Sequence, residues 1–171
     1  MNNKGLEQQI SDEILAMLSN RKSLMLSSLD ADGYPYASYA PFAIGDNCLY
    51  ILISEIAVHA KNLQQHPKAS VLIIQDEDSA DELFARLRVV YKIDAEHIHT
   101  EDPAWHQGLD KLIERHGELV ASLSQMSDFK LFKLHPVGGR YVKGFGKAYK
   151  IDAGSLAGSM SHLRDGHQSR S

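Results

Sequence analysis

The chain reads as a mainly β protein of the α+β class: a small antiparallel β-barrel with peripheral helices. Three observations predict it. About six β-rich runs follow one another between turn signals, one helix interrupts them after the third run, and no repeat, linker or low-complexity block divides the 171 residues.

Leu6, Ile10, Ile14, Leu15 and Leu18 recur at helical spacing, so an amphipathic helix opens the chain over residues 6–19. Lys22–Leu29 is a strand, and Asp30-Ala-Asp-Gly33 is a hairpin turn into Tyr34–Ile44. Gly45-Asp-Asn47 turns the chain again into Cys48–Ser54, and Pro35 and Pro41 put the second strand at an edge or bulge. Glu55–Gln65 is helical and stops at His66-Pro67. Ala69–Gln75, a continuous apolar run, reads as a strand buried on both faces. An acidic stretch, 76–82, leads into a long strand over Arg86–Ile98. Asp102-Pro103 starts a helix that runs to about His116 and breaks near Gly117, with a second to Gln125. Phe129–His135 and Arg140–Ile151 are expected to pair across Pro136-Val-Gly-Gly139, and residues 154–164 to form a terminal helix. The expected division is a helix over 1–20, a barrel over 21–152, and a C-terminal helix and tail over 153–171.

Composition narrows the function. Eighteen basic against twenty-two acidic residues give a net charge of −4, with no electrostatic footprint for nucleic acid. No stretch approaches the roughly 20 apolar residues of a membrane span, and the N-terminus lacks a secretory signal. One cysteine, Cys48, excludes an internal disulfide and a multi-cysteine metal site, so a cytoplasmic location is expected. Nine histidines are present without a zincin-type pair; His97, His99, His106, His116 and His135 sit in polar surroundings and read as surface residues.

The tail, Ser161-His-Leu-Arg-Asp-Gly-His167-Gln-Ser-Arg-Ser, holds a histidine five residues from the last numbered position, counting inclusively. Local sequence leaves two readings open: an incidental residue in a solvated tail, or a ligand to a metal or a cofactor iron.

Several segments together resemble the split-barrel flavoproteins typified by pyridoxamine phosphate oxidase. They are Ser27-Ser28-Leu29-Asp30 with Asp32-Gly33-Tyr34-Pro35, Ser38-Tyr39-Ala40-Pro41-Phe42, Leu52-Ile53-Ser54, and Ala60-Lys-Asn-Leu63 before His66-Pro67. Within that superfamily the chain is most similar to the haem-utilisation branch, the HutZ/HugZ-type haem-degrading proteins of bacteria. The similarity covers about residues 20–168 and rests on Ser38–Phe42, Leu83-Phe84-Ala85-Arg86-x-Arg88, Ser127-Asp128-Phe129, Val142-Lys143-Gly-Phe-Gly146 and Gly166-His167. The resemblance implies a six-stranded antiparallel split barrel, FMN-binding-like, that works as a homodimer.

One departure bears on the cofactor. Flavin-using relatives grip the FMN phosphate with a Ser-Arg-Lys type sequence where this chain has Ala57-Val58-His59. A dianionic phosphate wants a guanidinium or ammonium, so FMN is the weaker expectation and haem the stronger. By resemblance, His167 is the axial ligand of the haem iron and Asp128 its carboxylate partner, the two residues expected to tune the chemistry. Arg88, then Lys143 with the glycines around Phe145, are expected to hold the propionates, and Gly144 and Gly146 let the backbone approach a flat ring. Phe145 is a candidate contact that also reads as core or dimer packing, and His59 is a further candidate contact. The implied reaction is oxygen-dependent cleavage of the porphyrin to a biliverdin-type product, releasing iron for acquisition, with electrons from an external donor. A haem carrier or store without turnover, and an FMN-dependent oxidoreductase of the same fold, are the alternatives.

Overall fold

The computed structural model describes residues 3–158 and 160–163, with side chains described for 4–158; His167 lies outside this range. The chain runs α1 (Asn3–Asn20), β1 (Ser23–Leu29), β2 (Pro35–Pro41), β3 (Ala43–Ile44), β4 (Leu49–Ser54), α2 (Val58–Gln65), β5 (Lys68–Ile74) and β6 (Arg88–Ile98). It continues through α3 (Ala104–His116), α4 (Glu118–Ser124), β7 (Phe129–Val142), β8 (Ala148–Ile151) and β9 (Met160–Leu163).

All nine strands of the described residues lie in one antiparallel sheet, in the order β2-β1-β5-β6-β7-β4-β3, with β8 on β7 and β9 on β8. Strand β7 splices the sheet together. One of its edges pairs with β6 along nearly its whole length, while the other pairs with β4 over Phe129–Leu134 and with β8 over Gly139–Val142. The sheet therefore curls into a split barrel, as expected. The strand count exceeds six because the second run divides at Pro41 and two short strands are added after β7.

Local chemistry accounts for the turns. Asp30 accepts the backbone N–H of Asp32 and Tyr34 at 2.9 and 2.8 Å, closing the β1–β2 hairpin over Gly33 at φ 83°. β2 lies at the sheet edge, where Pro35 and Pro41 leave no ladder bond missing between strands. Asp102 accepts the Ala104 N–H at 2.8 Å and starts α3, which ends where Gly117 takes φ 86°.

The barrel interior is filled from α1 by Ile10, Ile14, Met17 and Leu18, and from the sheet by Leu24, Phe42, Ile51, Val71, Tyr91 and Phe132. A second cluster around Tyr50, Trp105, Leu109, Leu112 and Leu131 seats α3 and α4 on the outside of β4. Arg115 reaches from α3 to the open carbonyls of Leu18 and Ser19 at 2.9 and 3.1 Å, capping the end of α1. No helix among the described residues is long and apolar enough to cross a membrane.

Three expectations give way. Pro136–Gly139 is no hairpin turn: β7 runs straight through it, and the register with β6 skips Val137, a bulge that absorbs the proline. Gly139 is needed there because a Cβ would stand 2.9 Å from the Tyr91 ring. The true turn is Lys143–Lys147, where Lys143 N–H bonds the Lys147 carbonyl at 3.0 Å. The terminal helix over 154–164 is also absent; Leu156 and Ala157 plug the core, and residues 160–163 are strand β9. Finally, β5 is buried on one face: Val71 and Ile73 point into the barrel, while Leu72 and Ile74 stay half-exposed on its outside.

Candidate functional site

Period-two alternation turns Arg88 and Val90 of β6, and Arg140 and Val142 of β7, out of the barrel. Register carries these residues into two rows, Ile74–Arg88–Val142–Ala148 and Leu72–Val90–Arg140–Lys150. At the upper end of this face is a cleft of about 420 Å³, walled by Phe84, Phe145, Val90 and Val142, with Arg88 and Arg140 at its sides. Phe84 is 87% exposed on its 3₁₀ turn, and Phe145 is 60% exposed at the tip of the β7–β8 turn. Gly144 and Gly146, at φ 144° and 67°, shape that turn and leave open space where a Cβ would stand.

Arg88 is half-buried and anchored by a 3.0 Å bond from Nη1 to the Arg86 carbonyl. Arg140 has no hydrogen-bond or ion-pair partner among the described residues. Arg88 and Arg140 are diagonal neighbours on the sheet, roughly 7–8 Å apart at the backbone. Aromatic walls, glycine backbone and two guanidiniums are the donor set for a flat apolar molecule that carries carboxylates. Haem fits that description, and its propionates are carboxylates.

The structure brings Arg88, Gly144, Phe145 and Gly146 together, but it turns Lys143 to the other side. Its Nζ bonds both carboxylate oxygens of Glu13 at 2.7 and 2.6 Å, tying β7 to α1. Burial alone raises the Glu13 carboxyl; hydrogen bonds from Lys143 and Gln9, with the lysine charge, outweigh it and hold the group below its usual range. Tyr141 is buried beside them, its hydroxyl pushed up to about 12 by burial and by the Glu13 charge. Arg86 likewise faces away, donating from Nε to the Gln75 carbonyl at 2.8 Å and pairing with Glu77 at 3.3 Å.

Asp128 lies at the opposite end of β7. Twelve residues separate it from Arg140, a contour of roughly 40 Å at about 3.3 Å per residue. Its Oδ2 accepts the Ser54 hydroxyl at 2.6 Å, and its carbonyl accepts the Glu55 N–H at 2.7 Å. Around it stand exposed Ile56 and Met126, and the Glu55–Lys130 pair at 3.5 Å. His97 and His99 meet nearby at 4.2 Å between ring centroids. No group of three or more metal-ligating side chains occurs among the described residues.

His59 is the second residue of α2, half-buried and outside the cleft. Burial lowers its pKa, and the cation on this helix, Lys61, stands two residues further along the first turn. The residue that sequence reasoning missed is Arg140. Its signal was available in the alternation of Arg140, Tyr141 and Val142 around one buried tyrosine, but the expected turn at Pro136–Gly139 broke the strand that carries it.

The curled antiparallel sheet, spliced by β7 and carrying a basic, aromatic cleft on its outer face, defines a split-barrel protein. The family model for pyridoxamine 5'-phosphate oxidase matches residues 10–143, and the chain belongs to that family, in its HutZ-like branch. It is 40% identical over 163 residues to the haem oxygenase HutZ of Vibrio cholerae, spanning 95% of this chain and 92% of that protein. The crystal structure of Vibrio cholerae HutZ, described there as a haem storage protein, matches 79% of this chain and 96% of its own at 38% identity and a TM-score of 0.75. Campylobacter jejuni ChuZ matches 99% of this chain and 68% of its own, at 30% identity and a TM-score of 0.83.

Proposed function

We propose that this protein binds haem and degrades it oxidatively in the cytoplasm, as part of iron acquisition, at a site shared between two copies of the chain. The observation that carries the reading is the cleft of Phe84, Phe145, Arg88 and Arg140 beside the strand that leads to the tail. Leu163, the last residue of β9, pairs opposite Ala148, which lines that cleft. His167 follows four residues later, within roughly 14 Å of Leu163 at full extension. That reach supports His167 as the axial ligand of haem held in the cleft of the same chain.

Asp128 is too far along β7 to serve the same cleft, which supports its meeting the histidine of a second copy. The outer sheet favours such a homodimer. Tyr39, Met25, Leu72 and Val90 form one continuous apolar row, with Tyr39 64% and Met25 53% exposed. Contiguous apolar surface of this kind marks a contact face. It also explains why β5 reads as apolar on both sides.

The protein's share of the chemistry is positioning. Haem, when bound, supplies the iron at which dioxygen and electrons from an external donor react, and the meso carbon that is oxidised. The His167 imidazole would hold the iron, Asp128 would accept its ring N–H and raise its basicity, and Arg88 and Arg140 would neutralise the propionates. Phe84 and Phe145 cover the ring and exclude water. FMN is disfavoured because Ala57, Val58 and His59 put no guanidinium or ammonium at the phosphate position, and Lys61 faces one helical turn away from it.

Adding haemin to the protein should give a Soret band that His167→Ala abolishes or shifts, and ascorbate in air should bleach it to a biliverdin-type product with free iron. A band that survives reduction in air would favour haem storage and would overturn the enzymatic reading. Flavin released on heating the purified protein would overturn the choice of haem.

A further inference from the structure

The carboxylate of Asp128 is held from the end of β4 by Ser54 and the residues that follow it. Oδ2 takes the Ser54 Oγ–H at 2.6 Å, a short contact of the kind charge-assisted bonds make. The serine hydroxyl is itself fixed, because its oxygen accepts the Ile56 N–H at 3.2 Å. Its single proton is therefore committed to the carboxylate. The backbone closes the same contact from the other side, through the Glu55 N–H and the Asp128 carbonyl at 2.7 Å. Oδ1, in contrast, has no hydrogen-bond partner among the described residues. Ser54 ends β4, opposite Phe129, so the sheet register itself delivers the hydroxyl to the carboxylate.

We infer that Ser54 is a positioning residue of the haem site: its hydroxyl holds Oδ2 of Asp128 and leaves Oδ1 to accept the ring N–H of the iron-ligating histidine. The inference rests on the reading that Asp128 meets that histidine. A carboxylate free to rotate about its last two bonds presents either oxygen in many directions. One fixed by a serine presents a single acceptor, and the orientation of the imidazole follows from it. The neighbouring charges, Glu55 and Lys130, pair with each other at 3.5 Å and leave Ser54 as the group that bonds the carboxylate.

The test is the iron–histidine stretching frequency of the reduced haem complex by resonance Raman spectroscopy. It is read beside the rate of haem loss under ascorbate and the thermal midpoint of the haem-free protein. Asp128→Asn should lower the frequency and slow degradation by about 10–100-fold. Ser54→Ala should move both in the same direction by a smaller amount, several-fold in rate, and Ser54→Thr should restore both. The midpoint of the haem-free Ser54→Ala protein should stay close to the parent's, because the half-buried carboxylate takes water in place of the hydroxyl. If Asp128→Asn shifts the frequency while Ser54→Ala does not, the inference about Ser54 falls and the role of Asp128 stands. If neither variant shifts it, the reading of Asp128 falls and takes the inference with it. Should Ser54→Ala fail to fold, Ser54→Cys, whose thiol is a weak donor, should give the same intermediate frequency; a frequency equal to the parent's would overturn the inference.

Discussion

At the scale of single residues, three basic side chains near the end of the barrel divide their labour according to which way the pleat turns them. Arg88 and Arg140 point out into the cleft, and Lys143 points back to Glu13. Arg140→Ala should therefore weaken haemin binding by about fivefold, about 1 kcal/mol for an exposed charge, and leave the unfolding midpoint unchanged. Lys143→Ala should do the reverse. It leaves the Glu13 carboxylate partly buried without its cation, a cost of about 1–2 kcal/mol in a denaturant titration, while haemin affinity holds. The histidines add a pH dependence. Burial lowers His59 below its ordinary 6.5, and burial with the charges of His99 and Lys130 lowers His97 likewise. The unfolded chain then takes up protons first, so their stabilising effect is whole above pH 6.5 and fades as pH falls toward the folded-state values. His59→Gln should flatten the decline of the thermal midpoint between about pH 7 and 5.5; an unchanged slope would assign the decline elsewhere.

At the scale of elements, much of the barrel was legible in the sequence. The α1 periodicity, the Asp30–Gly33 hairpin, the proline-bounded edge strand and the Asp102 cap each act through neighbours in the chain, and each stands where expected. The failures share a physical cause. Pro136 and Gly138-Gly139 are turn residues by composition, yet Gly139 is there to admit the Tyr91 ring, a demand made by a residue 48 positions away. The helix expected over 154–164 yields to Leu156, whose carbonyl accepts the Tyr91 hydroxyl at 2.6 Å while its side chain is buried. Long-range packing overrides local propensity in both cases. Leu156→Ala should accordingly destabilise the protein by about 2–4 kcal/mol in urea, as a core truncation does and as a tail residue does not.

At the scale of the whole molecule, the cleft was legible in part. Arg88 and the Gly144-Phe145-Gly146 turn converge there as expected, and Arg140 was hidden by the misplaced turn. The separation of Asp128 from the cleft was not legible at all, because it depends on β7 being one strand of 14 residues. That separation makes the proposed site a property of two chains, and two impaired variants can test it together. Co-expressed His167→Ala and Asp128→Asn chains, purified as the mixed dimer through two different tags, should regain about half the haem-degrading activity of the parent. One of the two sites then holds an intact histidine from one chain and an intact aspartate from the other. A mixed dimer no more active than Asp128→Asn alone would contradict the account.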